Sequence, residues 1–201
     1  MTSTVQGTPT GIRDTWLPKI FLFLRRFKPV RERVTMGEFD DHVEREHLAR
    51  YKFAQHYCAG KRVADIACGT GYGTRMLAEV ASSAHGFDKE RLCGNEVIDL
   101  EKQSWSGEFD VVVSFETIEH LANPEFFLEN ARKTAKLLLV STPIGELRGY
   151  NPYHKQVWNF EQFKAFVERY FECRYFYQVN DQILDTPPSN IRFVIAVGVP
   201  K

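Results

Sequence analysis

The chain lacks long apolar runs. In the N-terminal segment the unbroken apolar stretch is only Ile20 to Leu24, far short of the roughly 20 residues that a bilayer-crossing helix needs. Most of the basic residues of this segment, Arg25, Arg26, Lys28, Arg31 and Arg33, follow that run, the wrong order for a secretory signal. Neither sign of charge is in excess, because 26 Lys and Arg balance 26 Asp and Glu. The molecule as a whole therefore exerts no electrostatic pull on nucleic acid, which is not expected as a partner. Cysteine is scarce. Cys58, Cys68, Cys93 and Cys173 are scattered without a C-x-x-C pair, which excludes the spacing of a zinc ribbon or dithiol motif and points to a reducing, cytoplasmic setting. Across 201 positions, 43% hydrophobic and 26% charged residues suit one globular domain with a single substantial core.

The most informative stretch is Asp65-Ile66-Ala67-Cys68-Gly69-Thr70-Gly71-Tyr72-Gly73. A strand closing at Ala67 turns there into a helix whose Met76, Leu77 and Val80 face a sheet. Gly69, Gly71 and Gly73 let the backbone come close to a ligand. A carboxylate at this place repels a pyrophosphate, which a helix N-terminus would otherwise welcome, but can hold an ammonium. The dinucleotide spacing also fails, since Thr74 stands where a third glycine is required. Downstream, Ser83 to Phe87 is a short strand ending in Asp88, roughly 20 residues past the glycines, where a doubly wound sheet places its ribose acid. Val97 to Leu100 reads as another short strand carrying Asp99, and Phe109 to Phe115 as a buried parallel strand.

Taken in order, the glycine turn, Asp88, Asp99 and Phe115-Glu116-Thr117-Ile118-Glu119-His120-Leu121 resemble the class I S-adenosylmethionine-dependent methyltransferases, from about Glu46 onward. The resemblance implies an α/β, Rossmann-like three-layer sandwich on a seven-stranded, mostly parallel sheet with one antiparallel edge strand. Residues 58–201 would form the methyltransferase domain, behind an N-terminal tail and cap helices at 1–57. It implies S-adenosyl-L-methionine as cofactor, with Asp65, Ala67, Gly69 and Gly71 on the methionine side. Asp88 would take the ribose, Asp99 and Leu100 the adenine, and Tyr51 and Phe115 the remaining pocket wall. Two departures are visible. Ala67 replaces the usual glycine, and only Lys89 to Glu96 stand where the family has a full helix, so the adenine pocket is expected to be more open or closed by another segment.

The stretch Glu46 to Ala54 has a helical face containing Leu48 and Tyr51. By the same resemblance it covers the cofactor, Arg50 pairing its carboxylate and Tyr51 closing over the sulfonium; an ordinary packing helix fits equally well. Glu116-x-x-Glu119-His120 places Glu116 on one helical face with Glu119 and His120. Small-RNA 2′-O-methyltransferases and ubiquinone-pathway O-methyltransferases are similar at this step. In the former, a divalent metal is held here together with a later histidine, for which His154 in Asn151-Pro152-Tyr153-His154 is the candidate. By that likeness Glu116, Glu119, His120 and His154 would form one metal-binding set, for Mg²⁺ or Mn²⁺. Without metal, His120 or His154 is the catalytic base that takes the proton of an acceptor hydroxyl. Polysaccharide-associated bacterial methyltransferases are similar in the Glu-His-Arg-Tyr helix and the Asn-Pro-Tyr-His loop, which favours a small saccharide acceptor for O-methylation; a catalytically silent cofactor-binding module is the alternative.

The rest completes the fold. Asn123 with Pro124, and Asn159 with Gln162, open two helices, while Cys173 to Gln178 and Ile191 to Val197 are closing strands. Gly145 to Val157 is an aromatic loop; its Tyr150 and Tyr153, with Trp158 just after it, can stack on a sugar ring. Trp16 to Arg33 combines aromatics with basic residues as a helix ending or kinking at Pro29. It either lies peripherally on an anionic membrane surface or packs against protein with its basic face solvated.

Overall fold

The structure is a computed structural model describing Met36, Gly37 and Asp41 to Lys201. The basic aromatic segment at residues 16–33 lies outside the described residues. All described residues belong to one compact unit, Glu32–Lys201.

In chain order the elements are α1 (Asp41–Cys58), β1 (Arg62–Ile66), α2 (Tyr72–Ala78), β2 (Ser83–Asp88), β3 (Glu96–Val97) and β4 (Phe109–Phe115). A 3₁₀ turn (Ile118–His120), α3 (Pro124–Thr134), β5 (Ala135–Pro143), α4 (Phe160–Val167), β6 (Phe171–Val179), β7 (Gln182–Leu184) and β8 (Phe193–Pro200) follow. The strands form one sheet in the order β3-β2-β1-β4-β5-β8-β6-β7. The five from β3 to β5 run parallel; β8 is antiparallel to both β5 and β6, and β7 pairs antiparallel with β6 at the edge. The Rossmann-like sandwich with its antiparallel edge is as expected, but the sheet has eight strands rather than seven. The additional strand, β7, lies within what reads in sequence as a loop. Asn180, with φ of 55°, and Asp181 form a two-residue turn that folds Gln182–Leu184 back onto β6, the Asn/Asp chemistry such hairpins require. Three residues are too few to show a strand's alternation.

Alternate residues of the central strands feed two cores. Ala64, Ile66, Val112, Leu138 and Val140 pack against Phe127, Leu128 and Ala131 of α3 and Phe163 and Val167 of α4. On the other face, Val63, Val111, Val113 and Leu139 meet Tyr51, Ala54 and Cys58 of α1 and Leu77 of α2. The expected helix starts are present. The Asn123 side chain accepts from Phe126 N–H at 3.3 Å with Pro124 in the first turn, and Asn159 and Gln162 form a reciprocal capping box at 2.9 Å each way. Parallel strands leave their C-terminal ends on one edge, so the turns after β1, β2, β4 and β5 gather there.

Candidate functional site

Asp65 lies near the end of β1 with no solvent exposure. Tyr51 of α1 donates its hydroxyl to Oδ1 at 3.2 Å, and Thr74 of α2 donates to Oδ2 at 2.6 Å. Burial dominates and raises its pKa to about 6, against the lowering effect of those two hydroxyls. Thr74, the residue that breaks the dinucleotide spacing, thus acts as a clamp on the acid. Aromatic rings wall the group: Tyr51 packs edge-on against Tyr72 at 5.4 Å and Phe115 at 5.2 Å. Strand β1 ends at Ile66, one residue earlier than expected. Ala67 then takes a left-handed φ of 61°, followed by Gly69 at 56° and Gly71 at 75°. A Cβ costs conformational energy at such an angle, so Ala67 carries the strain that the family's glycine avoids.

Asp88 ends β2 and is buried. Its Oδ2 accepts from Gly69 N–H at 2.9 Å and its Oδ1 from Glu90 N–H at 3.1 Å, so the same carboxylate joins the glycine turn to the loop beyond β2. That loop contains no helix. Asn95, buried, replaces one as organiser: Oδ1 accepts from Leu92 and Cys93 N–H, and Nδ2 donates to the carbonyls of Glu90 and Glu96. The strand expected at Val97 to Leu100 is shorter and earlier, Glu96–Val97. Asp99 follows it in a turn, accepting from Glu101 N–H at 3.1 Å and pairing with Lys102 at 3.3 Å; the turn's hydrogen bond, opposed by desolvation, holds its pKa low. Leu100 is half-buried against the core.

Beyond β4 the expected helical face is absent. Glu116 has a left-handed φ of 52°, and only Ile118–His120 is helical, as a 3₁₀ turn. Ser141 of β5 clamps the strained residue, accepting from Glu116 N–H at 3.1 Å and donating to its carboxylate at 2.7 Å. The turn still gathers ligating groups. Glu119, His120 and His154 offer atoms within 4.8 Å of one another, and the two imidazoles meet edge-to-face at 4.8 Å. Glu116 is not in that group, its carboxylate being held by Ser141. Burial raises the pKa of both acids, Glu119 well above its usual range, with Glu116's charge adding to the effect. Thr142 donates to Glu119 Oε2 at 3.3 Å, but the buried Oε1 has no hydrogen-bond partner.

The histidines' neighbours fix their tautomers. His120 Nδ1 lies 3.2 Å from the Tyr153 carbonyl, which can only accept, so Nδ1 carries the proton and Nε2 the lone pair. His154 Nδ1 is 2.5 Å from Glu146 Oε2, and its Nε2 is 2.9 Å from Asn151 Nδ2. Asn151 Oδ1 accepts from Tyr153 N–H, which leaves its NH₂ facing His154 and gives that ring the same tautomer. Sequence reasoning passed over Glu146 and Ser141. Tyr150 and Tyr153 remain exposed in the loop, whereas Trp158 packs on Phe163 and Phe166 and serves the core rather than an acceptor wall.

Arg50 is buried completely on α1. Its Nη1 donates to Gln178 of β6 at 2.6 Å, and its guanidinium sits 4.7 Å over the Phe193 ring. Nε and Nη2 are buried without a hydrogen-bond partner. A guanidinium left with two unmatched donors is costly unless an anion completes it, and its charge is felt by Tyr72 and by the Glu116 carboxylate.

Comparison with known proteins identifies the family. A family described as a methyltransferase domain matches residues 39–180. A Mycolicibacterium smegmatis protein described as a "Probable S-adenosylmethionine-dependent methyltransferase" is 28% identical over 145 residues, 62% of this chain and 56% of that protein. A ubiquinone biosynthesis O-methyltransferase of Rhizobium rhizogenes is 30% identical over 149 residues, 64% of this chain and 58% of the relative. The chain thus spans little more than half the length of these relatives. The crystal structure of a TehB-like SAM-dependent methyltransferase from Corynebacterium glutamicum shares the fold, with a TM-score of 0.61 and 17% identity over 92% of this chain and all of that one. With a family match across most of its length and the glycine turn, Asp65 and Asp88 at the ends of adjacent strands, the chain belongs to the methyltransferase domain family.

Proposed function

We propose that this protein transfers the methyl group of S-adenosylmethionine to a hydroxyl of a small acceptor, a saccharide being preferred. The observation that carries the reading is Asp65, a fully buried carboxylate held by Tyr51 and Thr74 beside a glycine turn. An ammonium is the counter-charge such a group needs. Asp65 would hold the methionine ammonium, Arg50 its carboxylate and Asp88 the ribose hydroxyls. The backbone of Ala67, Gly69 and Gly71 would support the methionine, Asp99 and Leu100 the adenine, and Tyr51 and Phe115 would wall the sulfonium.

The acceptor sits towards His120 and His154, next to the exposed Tyr150 and Tyr153, whose rings suit the apolar face of a sugar. S-adenosylmethionine, when bound, would supply an electrophilic methyl group to the acceptor oxygen, with S-adenosylhomocysteine as the leaving group. His120 Nε2 takes the hydroxyl proton, its Nδ1–H being anchored on the Tyr153 carbonyl; His154 is the second candidate base, but only once Asn151 Nδ2 releases its Nε2. In-line positioning supplies most of the acceleration, since a sulfonium is already a good donor.

The buried Glu119 Oε1, without a hydrogen bond and 4.0 Å from His120 Nε2, favours a second reading, a divalent cation held by Glu119, His120 and His154 beside Glu116. The mixed carboxylate and imidazole set suits Mn²⁺ better than Mg²⁺. When bound, such an ion lowers the pKa of a hydroxyl coordinated to it.

Calorimetry with S-adenosylhomocysteine tests the cofactor, and methyl-labelled S-adenosylmethionine offered with a panel of saccharides and phenols tests the acceptor. Binding of NAD(H) with no affinity for S-adenosylhomocysteine would overturn the reading, and cofactor binding without transfer to any hydroxyl would leave a silent binding module. For the cation, the Mn²⁺ electron paramagnetic resonance signal should quench on adding wild-type protein but not Glu119→Gln; an unquenched wild type removes the second reading.

A further inference from the structure

Two thiols meet across the glycine turn. Cys68, buried, sits between left-handed Ala67 and Gly69, and its Sγ lies 4.0 Å from the Sγ of Cys93. Cys93 is exposed, on the loop that Asn95 organises in place of a helix. That loop lies directly on the turn. Cys93 Sγ is 3.8 Å from the Gly69 carbonyl, and a Cβ built on Gly71 would fall 2.4 Å from it. Asp88 bridges the same two segments through Gly69 N–H and Glu90 N–H. The sulfurs are in van der Waals contact, and a bond of about 2.05 Å requires them to close by about 2 Å.

We infer that Cys93 is a peroxide-sensitive modification site whose oxidation ends in a Cys68–Cys93 disulfide that closes the loop onto the glycine turn and expels the cofactor. The Cys93 thiolate attacks one oxygen of hydrogen peroxide; the S–O bond forms, the O–O bond breaks, and hydroxide leaves to become water. Cys68 sulfur then attacks the sulfenic sulfur of Cys93. The S–S bond forms, the S–O bond breaks, and the departing hydroxide takes the Cys68 proton as a second water. Both sulfurs are oxidised and one peroxide is reduced. Burial raises the Cys68 pKa, with Asp65, Cys93 and Asp88 adding to the effect, so Cys68 stays a thiol until Cys93 is oxidised; the exposed partner reacts first and the buried one resolves it. A dithiol reverses the change by exchange. Transient sensing disulfides of this kind are the sort found in reducing compartments.

The closing of the cleft rests on the cofactor reading given above, whereas the disulfide itself does not, and two readouts separate them. Wild-type protein is treated with hydrogen peroxide, digested without reductant and mapped by mass spectrometry, while S-adenosylhomocysteine affinity is measured calorimetrically before and after. The expected result is a linked Cys68–Cys93 peptide lighter by two hydrogens, and an affinity lowered by at least about tenfold and restored by dithiothreitol. Cys93→Ser should give no linked peptide and hold its affinity through the treatment. Absence of the linked peptide in wild type overturns the modification site, and unchanged affinity in linked protein overturns the closure. If reduced wild type fails to bind S-adenosylhomocysteine, the cofactor reading and with it the closure fall, and the peptide map alone still decides the disulfide.

Discussion

Asp65 sets stability against binding. Its folded pKa of about 6 lies above the 3.8 of an exposed aspartate, so the folded protein takes up the proton first as pH falls. Its stabilising contribution is complete below about pH 4 and lost as pH rises through about 6. Asp65→Asn should therefore flatten that decline, worth on the order of 3 kcal/mol, in urea titrations of the ligand-free protein, while abolishing measurable S-adenosylhomocysteine binding. A decline of the same size in the variant would show that other groups cause it. Asp88→Ala removes the acceptor of two backbone N–H groups and, on the proposed reading, of the ribose. Charged-acceptor hydrogen bonds are worth about 1.5–3 kcal/mol each, so calorimetry should show S-adenosylhomocysteine affinity falling by about a hundredfold. Unchanged affinity would remove the ribose assignment. Asp65, Asp88 and the glycines were legible in sequence because a local pattern of carboxylate, small residues and spacing carries them. Ser141, Asn95 and Glu146 were not, because each acts by clamping a residue whose conformation only the fold reveals.

Between elements, α1 meets α2 with no room for a side chain at Gly73. A Cβ there would lie 2.0 Å from the Tyr51 ring, so the Tyr51 ring fits, with its hydroxyl on Asp65, only because that position is bare. Gly73→Ala should cost about 1–3 kcal/mol by overpacking, read as a lower urea midpoint. Displacing Tyr51 from Asp65 should weaken S-adenosylhomocysteine binding as well, whereas a variant with wild-type midpoint would show that α1 moves aside freely. Strands β2 and β4 were readable from short apolar runs, β1 from the glycine turn that follows it, and α3 and α4 from their caps. The turn after β4 misled: Glu116, Glu119 and His120 have helical spacing, yet Glu116 is left-handed and only a single 3₁₀ turn follows. The pull of Ser141 on Glu116 from the neighbouring strand overrides the local preference.

For the whole molecule, cofactor binding and folding should be linked. At a hundredfold excess over its dissociation constant, S-adenosylhomocysteine should add about 2.7 kcal/mol, raising the thermal midpoint of a chain this size by about 5–10 °C; NADH should leave it unchanged. A midpoint indifferent to S-adenosylhomocysteine but raised by NADH would reverse the assignment. No helix among the described residues is long and apolar enough to cross a membrane. One long-range contact also bears on how the chain is made. Arg50 of α1 is held by Gln178 of β6, 128 positions later, and Gln178 in turn donates to the Glu46 carbonyl. While the chain is still emerging from the ribosome, the glycine turn and both aspartates precede the strand that seats the arginine. On the proposed reading, the position for the methionine carboxylate is then incomplete, and S-adenosylmethionine should not template folding until β6 has been synthesised and docked.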